Sequence, residues 1–524
     1  MDTKNKNLKL IIYAAVIIES FLMMLFLAYK TSPLYISIGG DPMEYKLGGA
    51  AILDGLTIFK DIFHQKGSLF FFIEAIGEYI CRLFNDERIG TFIIETLNLF
   101  LMVSFMYFPS IKYFESQHIS NRKKYGYTLA IINVCLLYFF TRLLGGNYNE
   151  EYSLPYNIIA IIIALEFATR LDNGKAYGKA LFKPLYALFI GACFAVSVSI
   201  RFTNAAVIGG VIIFIGIVLI KNKDFKTIFK SIGLGGIGIL IVMLPQFVYY
   251  YLNDALSEML YQTFTYNFRY LKEFSTVSTL DSSLKRYAFI NYLIIIGIFI
   301  LSSLVYMISK KRYTAGLSVL VSLINMLMYF STSIYLSHYL LLEIPVLFLS
   351  LLAVSEVDNK KFFRTVLSIS MCAFLLYFGK TYYQFFSEYN TVIKPQCEEV
   401  IQETEDFYTE TLDLIDDDKK NDMLFVMDFH DAIYGYYHFG RYPFSPYFSV
   451  HFFKVQGQNE FVNNFYEDYK NKPPKYIVVS EECLNKTNSE EIYITEDFKP
   501  VIDDLPKRYS LTYTDGTYTL YTLK

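Results

Sequence analysis

The sequence predicts a polytopic α-helical membrane protein, with about eleven transmembrane helices and a C-terminal extracytoplasmic α/β domain. Of its 524 residues, 54% are hydrophobic and 18% are aromatic, which is too apolar for an ordinary soluble enzyme of this length. Apolar stretches of roughly 20 residues recur along the chain, which is the length that crosses a bilayer as a helix. Basic residues cluster between alternate stretches, as in loops on the cytoplasmic side of a membrane.

The apolar stretches are predicted to be helices, because unpaired backbone groups are costly in hydrocarbon and the stretches lack the alternation of a barrel strand. The first stretch has no small-residue cleavage site and is expected to remain as an anchor. The eleven predicted spans are Leu8–Ala28, Ile89–Phe108, Tyr125–Thr141, Leu154–Ala168, Pro184–Ile200, Ala205–Ile220, Ile232–Leu252, Phe289–Ser309, Ala315–Phe330, Leu336–Val354 and Phe362–Tyr382.

Six basic clusters fall on one predicted side of the membrane, with the N-terminus inside. This arrangement requires that the short stretch Leu69–Phe84, which contains Glu74, Glu78 and Arg82, lies along the outer surface and does not cross. The inner clusters are Lys4, Lys6 and Lys9; Lys112, Arg122, Lys123 and Lys124; Arg170, Lys175, Lys179 and Lys183; Lys221, Lys223, Lys226 and Lys230; Lys310, Lys311 and Arg312; and Lys360, Lys361 and Arg364.

The composition becomes polar and acidic after about residue 384. Met423–Met427 and Tyr476–Val479 are predicted to be strands, and Asp515-Gly516 predicts a hairpin, since Asp-Gly suits a type I′ turn. We therefore predict a multi-pass domain over residues 1–383, whose outer loop 30–88 carries the candidate site, and an extracytoplasmic α/β domain over residues 384–524.

The first outer loop contains Gly39-Gly40-Asp41-Pro42-Met43-Glu44-Tyr45 and, further on, Phe63-His64-Gln65-Lys66-Gly67-Ser68-Leu69. It resembles the first outer loop of the GT-C superfamily, the lipid-linked-sugar glycosyltransferases that include protein O-mannosyltransferases and aminoarabinose transferases. The resemblance implies that Asp41 occupies the position of the catalytic acid. It also implies that Lys66 occupies the position of a basic residue in a Phe-x-x-Lys element.

Three later segments extend this resemblance in the same order along the chain. Arg88 lies in a polar segment before the second span, Glu150 and Glu151 lie in an acidic second outer loop, and His338-Tyr339 begins a late helix. Two departures leave the substrate branch open. The second acid is Glu where several branches have Asp, and the lysine of the first loop is followed by Gly-Ser where the family has Pro-Pro.

The chemistry of sugar transfer explains why these residue types would be needed. A carboxylate must deprotonate the acceptor hydroxyl, and a cation must stabilise charge on the departing polyprenyl phosphate. Asp41 is the predicted base, and Lys66 or Arg201 is the predicted cation. Direct displacement with one such carboxylate inverts the anomeric centre. The predicted catalytic residues are Asp41, Glu150 and Glu151, and the predicted substrate-binding residues are Glu44, Tyr45, His64, Lys66, Arg88, Arg201, His338 and Tyr339.

Structural roles compete with these assignments. An Asp after two glycines also serves as a helix cap, interfacial lysines often extend towards water, and an isolated His is more often packed in a core than bound to a ligand. Glu95 lies inside a predicted span, where an acid is costly and is a functional candidate by default. No metal-binding set follows from the motifs, so a divalent metal stays open, as does pairing of Cys397 with Cys483.

The net charge of −3 argues against a nucleic-acid partner. The predicted partners are a polyprenyl-phosphate sugar donor, a cell-envelope acceptor and membrane lipid, and the predicted location is a bacterial cytoplasmic membrane. A polytopic transporter or lipid flippase is one alternative, although that class often shows mid-membrane acids or an internal duplication. A non-catalytic envelope-assembly protein is another, but it would not need Asp41, Glu150, Glu151 and Lys66 on one side.

Overall fold

The structure, a computed structural model, is mostly helical and forms two compact units. The helical unit comprises Met1–Ser32, Phe92–Tyr249 and Val277–Phe386, and the mixed unit comprises Pro33–Thr91, Tyr250–Thr276 and Ser387–Lys524. The residues that the structure describes are 3–37, 40–116, 120–143, 146–174, 181–269, 282–331, 337–355, 360–416, 420–448, 459–481 and 498–524.

The described α-helices are numbered in chain order. They are α1 (Thr3–Leu27), α2 (Asp41–Leu53), α3 (Ser68–Phe84), α4 (Ile89–Ser116), α5 (Asn121–Leu143), α6 (Asn149–Asp172), α7 (Leu185–Ile200), α8 (Ala206–Lys221), α9 (Phe225–Leu252), α10 (Leu256–Leu260), α11 (Ser282–Ile308), α12 (Arg312–Ser331), α13 (Ile344–Val354), α14 (Lys360–Glu388), α15 (Lys394–Thr411), α16 (Phe429–His438), α17 (Asn459–Asn471) and α18 (Lys499–Arg508).

Each predicted membrane span overlaps a helix in the part of the chain that the structure describes. The late span predicted from Leu336 begins in the described residues as the 3₁₀ helix Ser337–Glu343 and continues as α13. Among the described residues, the six helices α1, α4, α6, α8, α9 and α12 are long and apolar enough to cross a membrane. The chain is thus a multi-pass membrane protein, and the count of eleven spans stays a prediction.

Small residues permit close helix packing within the helical unit. A Cβ atom at Gly191 of α7 would lie 2.1 Å from the carbonyl oxygen of Gly235 in α9, and one at Gly238 would lie equally close to the carbonyl oxygen of Leu188. Only glycine allows backbones to approach at this distance, which is a common solution for helix pairs in lipid, where no hydrophobic force joins them.

In the mixed unit, α2 packs on α3 through Gly48 and Gly49; a Cβ at Gly49 would lie 2.6 Å from the carbonyl carbon of Glu74. The segment predicted to lie along the outer surface is one helix, α3. Its acids Glu74 and Glu78 are buried, whereas its exposed face carries apolar side chains, including Ile76, Tyr79, Leu83 and Phe84. Its position at a membrane surface stays a prediction.

A four-stranded sheet forms the C-terminal part of the mixed unit. Its strands are β1 (Met423–Val426), β2 (Tyr476–Ser480), β3 (Tyr509–Thr514) and β4 (Tyr518–Leu523), in the order β1-β2-β4-β3. Strands β1 and β2 pair in parallel, and β4 runs antiparallel to both β2 and β3. Apolar residues of α17 and α18 pack against β1 and β2, which gives this sheet a buried core.

The predicted hairpin exists between β3 and β4, but the predicted type I′ turn is wrong. That turn requires positive φ at both central residues, and Gly516 has a φ of +93° whereas Asp515 is not among the described residues with positive φ. The Asp515 side chain instead accepts hydrogen bonds from the N–H groups of Thr517 and Tyr518, each at 2.7 Å. The Asp515 N–H donates to the Tyr518 carbonyl at 3.3 Å, so the turn is closed by the backbone and stabilised by this Asp side chain.

The predicted domain boundary at residue 384 stays a prediction. The division into compact units also concerns the first outer loop. The first outer loop, Pro33–Thr91, groups with Ser387–Lys524 and not with the membrane helices. Tyr389 illustrates the connection, because its hydroxyl accepts a 2.7 Å hydrogen bond from the backbone N–H of Ile36. The candidate loop is thus held by the C-terminal part of the chain.

Candidate active site

Asp41 is the first residue of α2. Gly40, with a φ of 72°, precedes it, and Pro42 follows in the first helical turn, where its missing N–H costs nothing. The Asp41 side chain is exposed, and its Oδ2 accepts a hydrogen bond of 3.1 Å from the Tyr45 hydroxyl one turn later. A carboxylate at a helix N-terminus is stabilised by the helix dipole. The sequence-predicted acid is therefore accessible and oriented.

Four of the other predicted residues in the mixed unit lie around Asp41, and we call the five the Asp41 cluster: Asp41, Glu44, Tyr45, His64 and Lys66. The Nε2 atom of His64 lies 3.4 Å from Oε1 of Glu44. His64 Nδ1 accepts the backbone N–H of Lys66 at 3.1 Å, so the proton of a neutral His64 lies on Nε2, towards Glu44. The Lys66 ammonium lies 5.9 Å from the centre of the Tyr45 ring.

The environment of this cluster shifts the pKa values of Glu44 and His64 in opposite directions. Burial, with a further contribution from the negative charge of Asp41, raises the pKa of Glu44 to about 8, although Lys66 opposes the shift. Burial, with a further contribution from Lys66, lowers the pKa of His64 to about 3. At neutral pH Glu44 therefore keeps its proton and His64 is neutral. Pairs of groups whose pKa values are pushed apart are a common feature of acid–base sites.

Two residues that the motifs did not reveal hold the loop of His64 and Lys66. The Gln262 side chain accepts the backbone N–H of His64 at 2.9 Å and donates to the carbonyl of Phe59 at 2.6 Å. Asn267 donates to the carbonyl of Gln65 at 2.8 Å. Both lie in a segment rich in aromatic residues, and a polar residue between aromatics is the one signal that the sequence offers for them.

Arg201 joins two other predicted residues within the helical unit. Its guanidinium donates to the Glu150 carboxylate, whose side chain is 0% exposed, and donates to the Tyr339 hydroxyl at 2.5 Å. The guanidinium also lies 4.3 Å from the centre of the Tyr339 ring. We call these three residues the Arg201 cluster. Sequence reasoning named all three, but not that they contact one another.

His338 and Glu151 lie beside this cluster in structural roles. The His338 ring stacks on that of Tyr148, with centroids 4.8 Å apart and planes 8° from parallel. Oε1 of Glu151 accepts the Tyr148 backbone N–H at 3.2 Å and completes a capping box at the start of α6. Glu95, inside α4, accepts the backbone N–H of Asn147. The predicted catalytic roles of Glu150 and Glu151 stay predictions.

Arg88 is half-buried in the mixed unit, in the turn before α4. Its backbone N–H donates to Asp86 Oδ1 at 2.8 Å. Burial raises the pKa of the Tyr434 hydroxyl, and the positive charge of Arg88 opposes that rise. Among the described residues, no group of three or more His, Cys, Asp and Glu side chains is arranged to hold a metal ion. Cys397 is buried, and Cys483 lies outside the described residues, so their pairing stays open.

The chain is a polytopic membrane protein that shares its fold with a solved structure. That structure is apo ArnT from Cupriavidus metallidurans, a GT-C aminoarabinose transferase. It superimposes with a TM-score of 0.51 over 98% of both chains at 11% sequence identity. The predicted family resemblance is thus confirmed at the level of the fold.

A second solved structure matches with a lower TM-score of 0.42. It is the archaeal oligosaccharyltransferase AglB from Archaeoglobus fulgidus, in complex with an inhibitory peptide and a dolichol-phosphate. The match covers 98% of this chain and 74% of AglB at 13% identity. No protein-family profile and no curated protein sequence matches the chain.

Proposed function

We propose that this protein transfers a sugar from a polyprenyl-phosphate donor to an acceptor on the outer face of the cytoplasmic membrane, with inversion at the anomeric carbon. The acceptor class is a cell-envelope glycan, a teichoic-acid-like polymer, a lipid or a protein. The observation that carries the proposal is the Asp41 cluster, in which an accessible carboxylate and a lysine lie around a neutral Glu–His pair. The GT-C fold supports the same chemistry.

Asp41 is the general base in this proposal. Its carboxylate takes the proton of the acceptor hydroxyl as that oxygen attacks the anomeric carbon, and the bond from that carbon to the phosphate oxygen breaks. The Tyr45 hydroxyl, which donates to Oδ2 at 3.1 Å, orients the carboxylate. A base must reach the proton that it removes, and an exposed carboxylate at a helix start meets this condition.

Glu44 and His64 keep the roles of Asp41 and Lys66 separate. A neutral Glu44 and a neutral His64 leave Asp41 and Lys66 as the two charged members of the cluster. The ammonium of Lys66 can then stabilise the negative charge that develops on the departing polyprenyl phosphate. A charged Glu44 would instead attract that ammonium and weaken its interaction with the phosphate.

Arg201 is a second candidate for the phosphate-binding cation. Glu150 and Tyr339 hold its guanidinium in a fixed orientation. A planar guanidinium binds phosphate through two parallel hydrogen bonds, which adds geometric specificity to charge. Glu150 is in this view the counter-ion that orients Arg201, while Asp41 performs the proton transfer.

Reconstituted protein tests the proposal directly. The full-length protein, in liposomes, is supplied with a panel of polyprenyl-phosphate sugars and, in parallel, with the corresponding nucleotide sugars. We expect consumption of one lipid-linked donor, release of polyprenyl phosphate, and no reaction with nucleotide sugar. Transfer from the nucleotide sugar alone contradicts the donor class. Movement of the intact lipid-linked sugar across the bilayer without cleavage contradicts enzymatic transfer and supports a flippase.

Mass spectrometry of cell-envelope glycans identifies the acceptor. Cells that express an Asp41→Asn variant in place of the wild-type chain should lack one sugar substituent and accumulate its lipid-linked donor. Identical glycan and lipid profiles in the two strains would contradict the proposal.

A further inference from the structure

A groove of about 260 Å³ lies among α7, α8 and α9 in the helical unit, and no residue of the Asp41 or Arg201 cluster lines it. It exists because glycines line it. The contact between Gly191 and Gly235 holds α7 against α9, while Gly216 and Gly236 have no neighbouring atom within 4 Å of the position where a Cβ would stand. Nothing in the catalytic proposal uses this space.

The groove is bordered by a helix with a largely exposed apolar surface. Of the six helices that could cross the membrane, α9 has the least buried apolar segment, with 11% of it inside the protein. The lining along α9 extends from Ile228 to Ile239, which corresponds to about 16 Å of helix. This length is about half of a roughly 30 Å hydrocarbon core, so the groove is one leaflet deep.

Two lysines lie beside the lining residues at one end of the groove. Lys183 follows the lining residue Phe182, Lys230 lies between the lining residues Ile228 and Ser231, and both lysines are exposed. The nearby acid Asp224 is engaged, because its carboxylate accepts the backbone N–H groups of Thr227 in the first turn of α9 and of Leu181 before α7. Exposed lysines at a membrane surface attract anionic lipid headgroups.

Ser231 is the one residue with a polar side chain among those that line the groove. Its hydroxyl oxygen is buried and has no hydrogen-bond partner among the described residues. A buried hydroxyl without a partner is costly, and a bound acceptor would satisfy it. The ester carbonyl of a glycerolipid is such an acceptor, and it lies between the headgroup and the acyl chain.

We propose that this groove binds one acyl chain of an anionic glycerophospholipid, with the phosphate near Lys183 and Lys230 and an ester carbonyl at Ser231. The groove depth of one leaflet fits an acyl chain, whereas a polyprenyl chain is longer and carries no ester carbonyl. The basic end belongs to the clusters predicted to be cytoplasmic, so the lipid comes from the inner leaflet. The site is distinct from the proposed donor site and does not depend on the proposed function.

Filling the groove tests the proposal, with a matched control in the same helix. Gly236→Leu places a side chain in the groove, whereas Gly233→Leu places one at a position that is equally open but does not line it. The full-length variants are purified from phosphatidylglycerol and phosphatidylcholine nanodiscs, and retained lipid is measured by native mass spectrometry. We expect about tenfold less retained phosphatidylglycerol for Gly236→Leu, since roughly two methylene contacts are lost, and no change for Gly233→Leu.

Two further variants separate loss of the site from loss of folding. Gly216→Leu fills the groove from α8 and should reproduce the effect if the protein remains monodisperse. Lys183→Gln combined with Lys230→Gln leaves the groove intact and should reduce the preference for phosphatidylglycerol over phosphatidylcholine by about fivefold or more. Equal retention in wild type and both leucine variants, or retention of polyprenyl phosphate in place of phospholipid, overturns the proposal.

Discussion

The Asp41 cluster and the Arg201 cluster contain the same kinds of residues but differ in how their charges are satisfied. In the first, the carboxylate of Asp41 is exposed, and its neighbours Glu44 and His64 are held neutral. In the second, the acid Glu150 is fully buried and is paired with Arg201. An accessible carboxylate has room for a substrate hydroxyl, whereas a buried and paired one does not.

The difference indicates which acids are suited to chemistry and which to positioning. Leaving one partner of a buried ion pair alone is expensive, so Glu150 and Arg201 stabilise each other and fix a direction. The Asp41 carboxylate is exposed, so it does not depend on a buried ion pair in this way. Asp41 and Glu150 look equivalent in the sequence, but mutation of Asp41 is expected to lower the transfer rate, whereas disruption of the pair between Glu150 and Arg201 is expected to lower stability. The following experiments test that contrast.

The largest expected effect is on Asp41. Asp41→Asn keeps the shape and the capacity to cap α2, but it removes the carboxylate that accepts the acceptor's proton. We expect single-turnover sugar transfer to fall by roughly 10²–10⁴-fold, with expression and donor affinity largely unchanged. Asp86→Asn is the matched control, because the Asp86 side chain accepts the backbone N–H of Ile89 at the start of α4, and an Asn side chain can accept it equally well. Near-normal transfer by Asp41→Asn would assign Asp41 to capping and make Glu150 and Glu151 the next bases to test.

Substitution of Arg201 should lower the stability of the protein. Arg201→Gln leaves Glu150 buried without its cation and should lower the free energy of unfolding by about 3–5 kcal/mol, as followed by thermal unfolding in detergent. Adding Glu150→Gln should recover much of the loss. Arg269→Gln is the control, since Arg269 pairs with Glu460 at an exposed surface and should cost about 1 kcal/mol or less. A double variant no more stable than Arg201→Gln would show that the two charges do not depend on each other.

Substitution of Lys66 tests donor binding separately from proton transfer in the Asp41 cluster. Lys66→Gln should raise the KM for the lipid-linked donor by roughly 10–100-fold, the effect of losing a charged hydrogen bond to phosphate. Lys60→Gln, on the same loop, should change little because Lys60 is exposed and contacts the carbonyl of Asn253. An unchanged KM for Lys66→Gln would remove this lysine from the donor site and favour Arg201 as the cation.

Substitution of Glu44 should have the smallest effect, and it should appear in the pH dependence of the activity. Its pKa of about 8 means that activity which needs the protonated form declines as the pH rises through that value. Glu44→Gln cannot ionise, so its profile should lack this alkaline decline, while Glu410→Gln, at an exposed position of α15, should retain it. By the same shift, the wild-type free energy of unfolding should fall between pH 4.5 and 8, because the unfolded chain loses the proton earlier. Identical profiles would contradict the neutral state of Glu44.

Features that depend on neighbouring residues were predictable from the sequence. The apolar segments overlap helices because length and hydropathy decide whether a segment can be buried in lipid. Asp41 begins α2 because Gly40 and Pro42 restrict where that helix can start. The β3–β4 hairpin follows from Asp515-Gly516 between two β-prone runs, although its turn type does not.

Contacts between distant residues required the tertiary structure. Arg201 meets Tyr339, which is 138 residues away, and Gln262 holds the loop of His64, which is 198 residues away. The sequence contained each of these residues but not their pairing, because a pairing depends on how helices pack and which charges are removed from water together. Burial likewise decided that Glu150 is a counter-ion and that Asp41 is accessible, since two acids with the same chemistry differ only in their surroundings.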